Sequence, residues 1–315
     1  MGRAGAEVIR LGNRAIVTAR QWLVAVMARC VLGVLGALPP RAAALLAGWG
    51  SAAGYLFDRR ERKRRSLDNL MRAFPEMGRQ EARRTLRAVY RHFARALVDG
   101  LRFARVAQRF PVGQLLETEG MERLEGLGEK TGMLFVTGHF GHWEVLGSAL
   151  PLLGYPTWSM MRGFRNPFVD RYVRRMREAT GQRLLDKHGA LRQTIRLLRG
   201  GEHVGFLIDQ DARKHGVFVD YFGRPAKTAD SPARIALRTG APLVFLYVRA
   251  APGGGFRLTV ADVIRPRPDA DADEETLRIT QALTSDLEAV VRQHPEEWLW
   301  LHRRWKTYPG KYPGE

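Results

Sequence analysis

Cysteine is almost missing from this chain: one residue, Cys30, in 315. A single thiol excludes an intrachain disulfide framework and any metal site built from several cysteines, so a cytosol-facing protein is the plain reading. Acidic side chains are scarce too, 32 against 51 Lys and Arg, which leaves a formal charge of +19. That excess attracts polyanions: nucleic acid, an anionic membrane surface, phosphorylated substrates or an acidic protein. No zinc-finger spacing or aromatic-interleaved basic pattern accompanies it, which argues against nucleic acid. Internal repeats and low-complexity tracts are missing as well. Hydrophobic residues at 45% exclude a disordered chain and a polytopic membrane protein. The length allows one substantial core with a smaller helical appendage. No G-x-S-x-G elbow is present and Cys30 lies in an apolar segment, so the chain offers no clear covalent nucleophile.

No uninterrupted apolar run reaches the roughly 20 residues of a spanning helix. Residues 22–38 come nearest, but carry Arg29 and stop at Pro39-Pro40. Such a segment can span with snorkelling arginines or lie in the interface as an amphipathic anchor. A second apolar stretch, 42–57, leads straight into the basic cluster 59–65. Basic residues there suit the anionic headgroups of a cytoplasmic leaflet, so this region is expected to associate with a membrane. A cleaved signal peptide and a buried helix of a soluble protein are the rival readings. The basic cluster speaks against export, and reads equally as one solvated helix face.

From 66 to about 109 the periodicity is helical. Leu67, Leu70, Met71 and Phe74 precede Pro75, and Ala82, Leu86, Val89, Tyr90, Phe93, Ala96 and Leu97 mark a second amphipathic helix. After Pro111 the texture changes. Strands are expected at 133–136, 157–161, 204–208, 242–248 and 256–263, the last at a sheet edge. Helices are expected at 146–153, 167–180, 191–198 and 231–238, with a final one after the acidic loop 269–273. The alternation predicts an α/β fold, a mixed and largely parallel sheet flanked by helices, over 111–315. Residues 1–110 form the N-terminal membrane anchor and helical region. Ligands in such sheets sit beyond the carboxyl ends of strands. Two polar groups fall there: His139 with Glu144, and Asp209 with Gln210.

The first belongs to Thr137-Gly138-His139-Phe140-Gly141-His142-Trp143-Glu144, between a buried strand and a helix. Gly138 and Gly141 let the backbone approach a substrate closely. At a helix start, the four intervening residues are expected to bring the Glu144 carboxylate to the His139 imidazole, making a general base. His139, His142 and Glu144 could be taken for metal ligands, but the spacing is not H-E-x-x-H and no further ligand is evident, so no metal is expected. His142 is expected at the first helical turn or lining the pocket. His302 is expected in the core or an interface, within a Trp-rich amphipathic helix. Its tryptophans fit a membrane-facing or acyl-lining surface and ordinary core packing equally.

H-x-x-x-x-E after a strand resembles the first motif of the lysophospholipid acyltransferase superfamily. Four further stretches narrow the resemblance to the bacterial lipid A biosynthesis lauroyl/myristoyl acyltransferases. They are Ser66-Leu67-Asp68-Asn69-Leu70 with Phe74-Pro75-Glu76; Met161-Arg162 with Asn166-Pro167; Asp209-Gln210-Asp211 with Phe222-Gly223; and the ending from His294-Pro295-Glu296-Glu297-Trp298 to His302-Arg303-Arg304-Trp305-Lys306. The resemblance runs from roughly 22 to 306, and five blocks in order are far more specific than one. It implies transfer of a fatty acyl chain from acyl carrier protein or coenzyme A to a hydroxyl of a lipid A precursor. The setting it implies is the cytoplasmic face of a bacterial inner membrane, and it calls for no cofactor. His139 matches the catalytic base and Glu144 the carboxylate that orients it. Arg162, Arg175 and Arg177 correspond to segments associated with substrate phosphates, from which Arg174 is not separable, and a solvated helix face is the rival reading. Asp209 and Gln210 fall in the third block, where Asp209 pins an arginine, shapes the acyl pocket or caps a turn. A basic enzyme suits an acidic carrier protein by steering, and anionic lipids select the same charge. The alternatives are the same chemistry on a phosphatidylinositol mannoside or a lysophospholipid, a non-catalytic basic membrane-binding protein, and a metal-dependent esterase.

Overall fold

A computed structural model of the chain describes residues 20–27, 29–128, 130–161, 163–186 and 190–311. Helix α1 (Arg20–Ala37) is, among the described residues, the one helix long and apolar enough to cross a membrane, and 6% of it is buried. Trp22, Leu23, Val24, Met27, Val31 and Val34 are exposed along it, and Leu45, Trp49, Leu56 and Phe57 along α2 (Pro40–Phe57). Outward-facing side chains of this size are costly in water and are matched by a lipid phase. The N-terminal region is membrane-associating. Helix α2 is held to the rest of the molecule by Ala43 and Ala47, which pack on Val98.

Two further helices, α3 (Arg60–Ala73) and α4 (Arg79–Val106), follow. On α4 the periodic residues Ala82, Leu86, Val89 and Tyr90 are buried as their spacing requires. They share one core with Val136, Val204 and Phe245 of the sheet. The helical region is packed on the α/β layer through common side chains.

The sheet has seven strands: β1 (Leu116–Glu119), β2 (Leu134–Thr137), β3 (Thr157–Met161), β4 (Arg183–Asp186), β5 (His203–Leu207), β8 (Leu243–Ala250) and β9 (Phe256–Ile264). Their order is β1-β9-β8-β2-β5-β3-β4, parallel throughout except for the β8–β9 pair. Strands β6 (Val217–Asp220) and β7 (Pro225–Thr228) form a separate antiparallel hairpin. Helices α5 (Trp143–Leu152), α6 (Pro167–Glu178), α7 (Ala190–Arg199), α8 (Ser231–Thr239) and α9 (Ala272–Gln293) complete the molecule. β2 is buried at every position, as a central parallel strand must be. Gly240 ends α8 in the left-handed region (φ 72°), where a glycine is least strained.

Two expectations need correction. β9 is not an edge strand, because β1 pairs outside it. The segment after the short turn Pro295–Glu297 is not a helix. Trp298 and Trp300 instead both point into the core, 1% and 0% exposed, and pack edge to face. Core packing, rather than a membrane-facing surface, accounts for them.

Candidate active site

β2 and β5 lie side by side at the centre of the sheet, with Thr137 opposite Leu207. Two residues further along each chain stand His139 and Asp209, so strand register alone brings them together beyond the carboxyl ends. Asp209 is buried and accepts three hydrogen bonds. They come from the His139 backbone N–H (2.8 Å), from His139 Nδ1 (2.8 Å) and from the Trp298 indole Nε1 (3.0 Å). An ionised carboxylate only accepts, so Nδ1 carries the imidazole proton and Nε2 is left as the basic nitrogen. Among the described residues Nε2 has no protein partner.

Charge sets the balance of this pair. Burial disfavours the imidazolium, but the Asp209 charge, the Asp209 hydrogen bond and the Glu144 carboxylate outweigh it and hold His139 above its ordinary value. Burial likewise works against the Asp209 anion, yet His139 and the donated hydrogen bonds pull it down to about 2.

Glu144 is not the carboxylate hydrogen-bonded to His139. Helix α5 begins only at Trp143, and residues 139–142 make a tight turn, with Gly141 at φ 57°. Glu144 Oε1 instead accepts from Arg177 Nη2 of α6 at 2.7 Å. The Gly141 turn admits no side chain, since a Cβ would sit 2.2 Å from the Val248 carbonyl oxygen. It is fixed by Gly141 N–H to Glu297 O (3.0 Å), by His142 N–H to Val248 O (2.7 Å) and by a bridge between Phe140 and Trp298. The C-terminal segment thus clamps the motif and supplies the donor to Asp209.

A cavity of about 560 Å³ opens beside His139. His139, Glu144, Arg177 and Gln210 line it, while Phe135, Leu146, Leu150 and Leu246 give it an apolar wall between α5 and the sheet. A slot of this kind accepts an apolar chain with its reactive end at the imidazole. Of the remaining sequence-derived candidates, Arg175 faces a different cavity, between α1, α4 and α6, with Arg29, Arg105 and Arg171. Arg174 is separated from its neighbours: it bonds Asp170 (2.8 Å) and Asp186 (2.6 Å). Arg162 lies outside the described residues. Among the described residues Asp209 pins no arginine; its hydrogen bonds go to His139 and Trp298.

His142 is the residue preceding α5, buried, with Nε2 3.2 Å from Asp99 Oδ2. Among the described residues one trio, His294, Glu296 and Glu297, has its ligand atoms close enough for a cation. Its Glu297 is already clamped by Arg249 through hydrogen bonds of 3.0 and 2.9 Å. Sequence reasoning missed Trp298 as the third donor to Asp209 and Asp99 as the partner of His142. A signal for the Asp209 pairing did exist, because both residues stand just past neighbouring buried strands.

The family model for bacterial lipid A biosynthesis acyltransferase matches residues 12–307. The chain is similar to the lipid A biosynthesis lauroyltransferase of Escherichia coli K12, 29% identical over 78% of this chain and 79% of the relative. It is similar to the palmitoleoyltransferase of the same organism, 27% identical over 82% and 83%. A phosphatidylinositol mannoside acyltransferase of Mycolicibacterium smegmatis is 25% identical over 67% and 71%. With the His139 turn, the third block and the C-terminal clamp all inside the matched span, the chain belongs to the bacterial lipid A biosynthesis acyltransferase family and is an acyltransferase.

Proposed function

We propose that the enzyme moves a fatty acyl chain from an acyl thioester, carried by acyl carrier protein or coenzyme A, to a hydroxyl of a lipid A precursor at the cytoplasmic face of the inner membrane. One observation carries the reading: a histidine whose Nδ1 is held by a buried aspartate, with Nε2 left to an apolar cavity. Nε2 takes the proton of the acceptor hydroxyl as its oxygen attacks the thioester carbonyl carbon. The tetrahedral intermediate collapses with cleavage of the C–S bond, and the imidazolium returns its proton to the departing sulfur. The products are an ester and a free thiol. Asp209 orients the ring and stabilises the imidazolium. Glu144 adds negative charge nearby and holds Arg177, which is placed to meet a substrate phosphate.

Purified enzyme assayed with acyl carrier protein and coenzyme A thioesters against lipid A precursors tests this. His139→Ala is expected to lower turnover by about 10²–10⁴-fold, and turnover equal to wild type would refute the assignment. The relatives named phosphatidylinositol mannoside acyltransferases favour one second reading, the same chemistry on a mannosylated inositol lipid. Including that acceptor in the assay separates the two by relative kcat/KM.

A further inference from the structure

A third cavity, a cleft of about 330 Å³, lies between α3, the β6–β7 turn and residues 303–306. It shares no lining residue with the His139 cavity. One face of α3 gives it Arg65 and Arg72, with Glu61, Asp68 and Asn69 at three- and four-residue spacing. Arg224 enters from the hairpin turn, and Arg303, Trp305 and Lys306 from the C-terminal segment. Cations outnumber carboxylates, and Glu61 is already divided between Arg65 (3.7 Å) and Arg303 (3.4 Å).

The hydrogen-bonding capacity is unbalanced in the same sense. Arg65 Nε, Arg224 Nη1 and the Trp305 indole Nε1 are all buried without a partner. Each is a donor without an acceptor, on a side chain that lines the cleft. The frame around them is tied down: Ser66 Oγ donates to Trp300 O (3.1 Å), Arg65 Nη2 to Leu301 O (3.4 Å), and the Arg224 guanidinium stacks on Trp305 at 4.4 Å. Burial, and the facing charges of Arg303 and Arg72, hold Arg65 and Arg224 below the ordinary guanidinium value. An anion among them would relieve that repulsion.

We propose that this cleft binds a phosphate group. Several oxygens on one centre can meet several converging N–H donors, and guanidinium groups suit a tetrahedral oxyanion. The source favoured by position is the headgroup of an anionic lipid. α3 starts three residues after Phe57, which ends α2 88% exposed, and Glu61 of the cleft lies in its first turn. A soluble phosphate compound is the other source of the same chemistry.

The test uses the full chain in a neutral detergent. Its thermal unfolding midpoint is titrated with inorganic phosphate, glycerol 3-phosphate and short-chain phosphatidylglycerol, against sodium chloride at matched ionic strength. A saturable rise is expected with at least one phosphate ligand, its apparent affinity lowered at least tenfold in the double variant Arg303→Gln/Lys306→Gln. Both side chains are exposed, so folding is not at stake. Arg224→Met, which removes one of the unpartnered donors, is expected to weaken binding likewise. Saturation by phosphatidylglycerol alone identifies the lipid source, and saturation by all three identifies phosphate itself as sufficient. His139→Ala is expected to keep the full response, which separates this site from catalysis. No saturable rise beyond chloride, or a rise undiminished in the double variant, overturns the proposal.

Discussion

In the proposed mechanism a single proton on His139 decides which half of acyl transfer the site performs. The base must be neutral to accept the hydroxyl proton, and the Asp209 anion biases it toward the charged form. Activity is therefore expected to rise with pH along a limb whose midpoint lies above the ordinary imidazole value of 6.5. Asp209→Asn removes the charge but keeps the shape. It is expected to move that limb to lower pH and to cost roughly 10²–10⁴-fold in kcat/KM. A pH profile of kcat/KM for the two proteins checks both, and an unmoved limb would remove Asp209 from the role. At this scale the sequence was half legible. His139 and Glu144 could be read as neighbours from a six-residue window, since local spacing is what a motif encodes. The Asp209 contact joins residues seventy positions apart, and depends on the pairing of two strands that no local window contains.

At the scale of elements, the central strands were readable because burial on both faces writes a continuous apolar run, as in Leu134–Thr137. β1 and β4 escaped notice for the complementary reason. Leu-Glu-Thr-Glu and Arg-Leu-Leu-Asp each bury one residue, so neither carries a clear period. Residues 298–307 misled in another way: Trp298 and Trp300 fit a helix as well as an extended pair facing the core. The contact between α9 and β9 carries a prediction of its own. Asp286 of α9 is pushed up to about 7 by burial and by Asp262 of β9. Its folded form holds the proton more tightly than the unfolded chain, so stability is greatest below the ordinary value of 3.8, declines as pH rises from there to about 7, and levels off above. Asp286→Asn is expected to raise stability by about 1–2 kcal/mol at pH 8, allowing for partial exposure, and by little at pH 5. Unfolding midpoints at the two pH values check this, and an equal gain at both would contradict it.

For the whole molecule, +19 and an exposed apolar N-terminal region act together. Hydrophobic burial is expected to hold the protein at a lipid surface, and positive charge to select an anionic one. α1 touches the body lightly, through bonds such as Asn166 Nδ2 to Gln21 O (2.8 Å) and Arg105 Nη1 to Gly33 O (2.9 Å). Removing residues 1–38 is expected to cut co-sedimentation with anionic vesicles at least tenfold while the unfolding midpoint moves little. Undiminished pelleting would shift the anchoring role to α2 and α3.

The Trp298 hydrogen bond to Asp209 also imposes an order in time. α1 leaves the ribosome long before residue 298 does, so a nascent chain can reach the bilayer while its acid–base pair still lacks its third donor and its clamp. The Trp298 hydrogen bond to Asp209 and the Phe140–Trp298 bridge form only when the C-terminal segment folds back over the Gly141 turn.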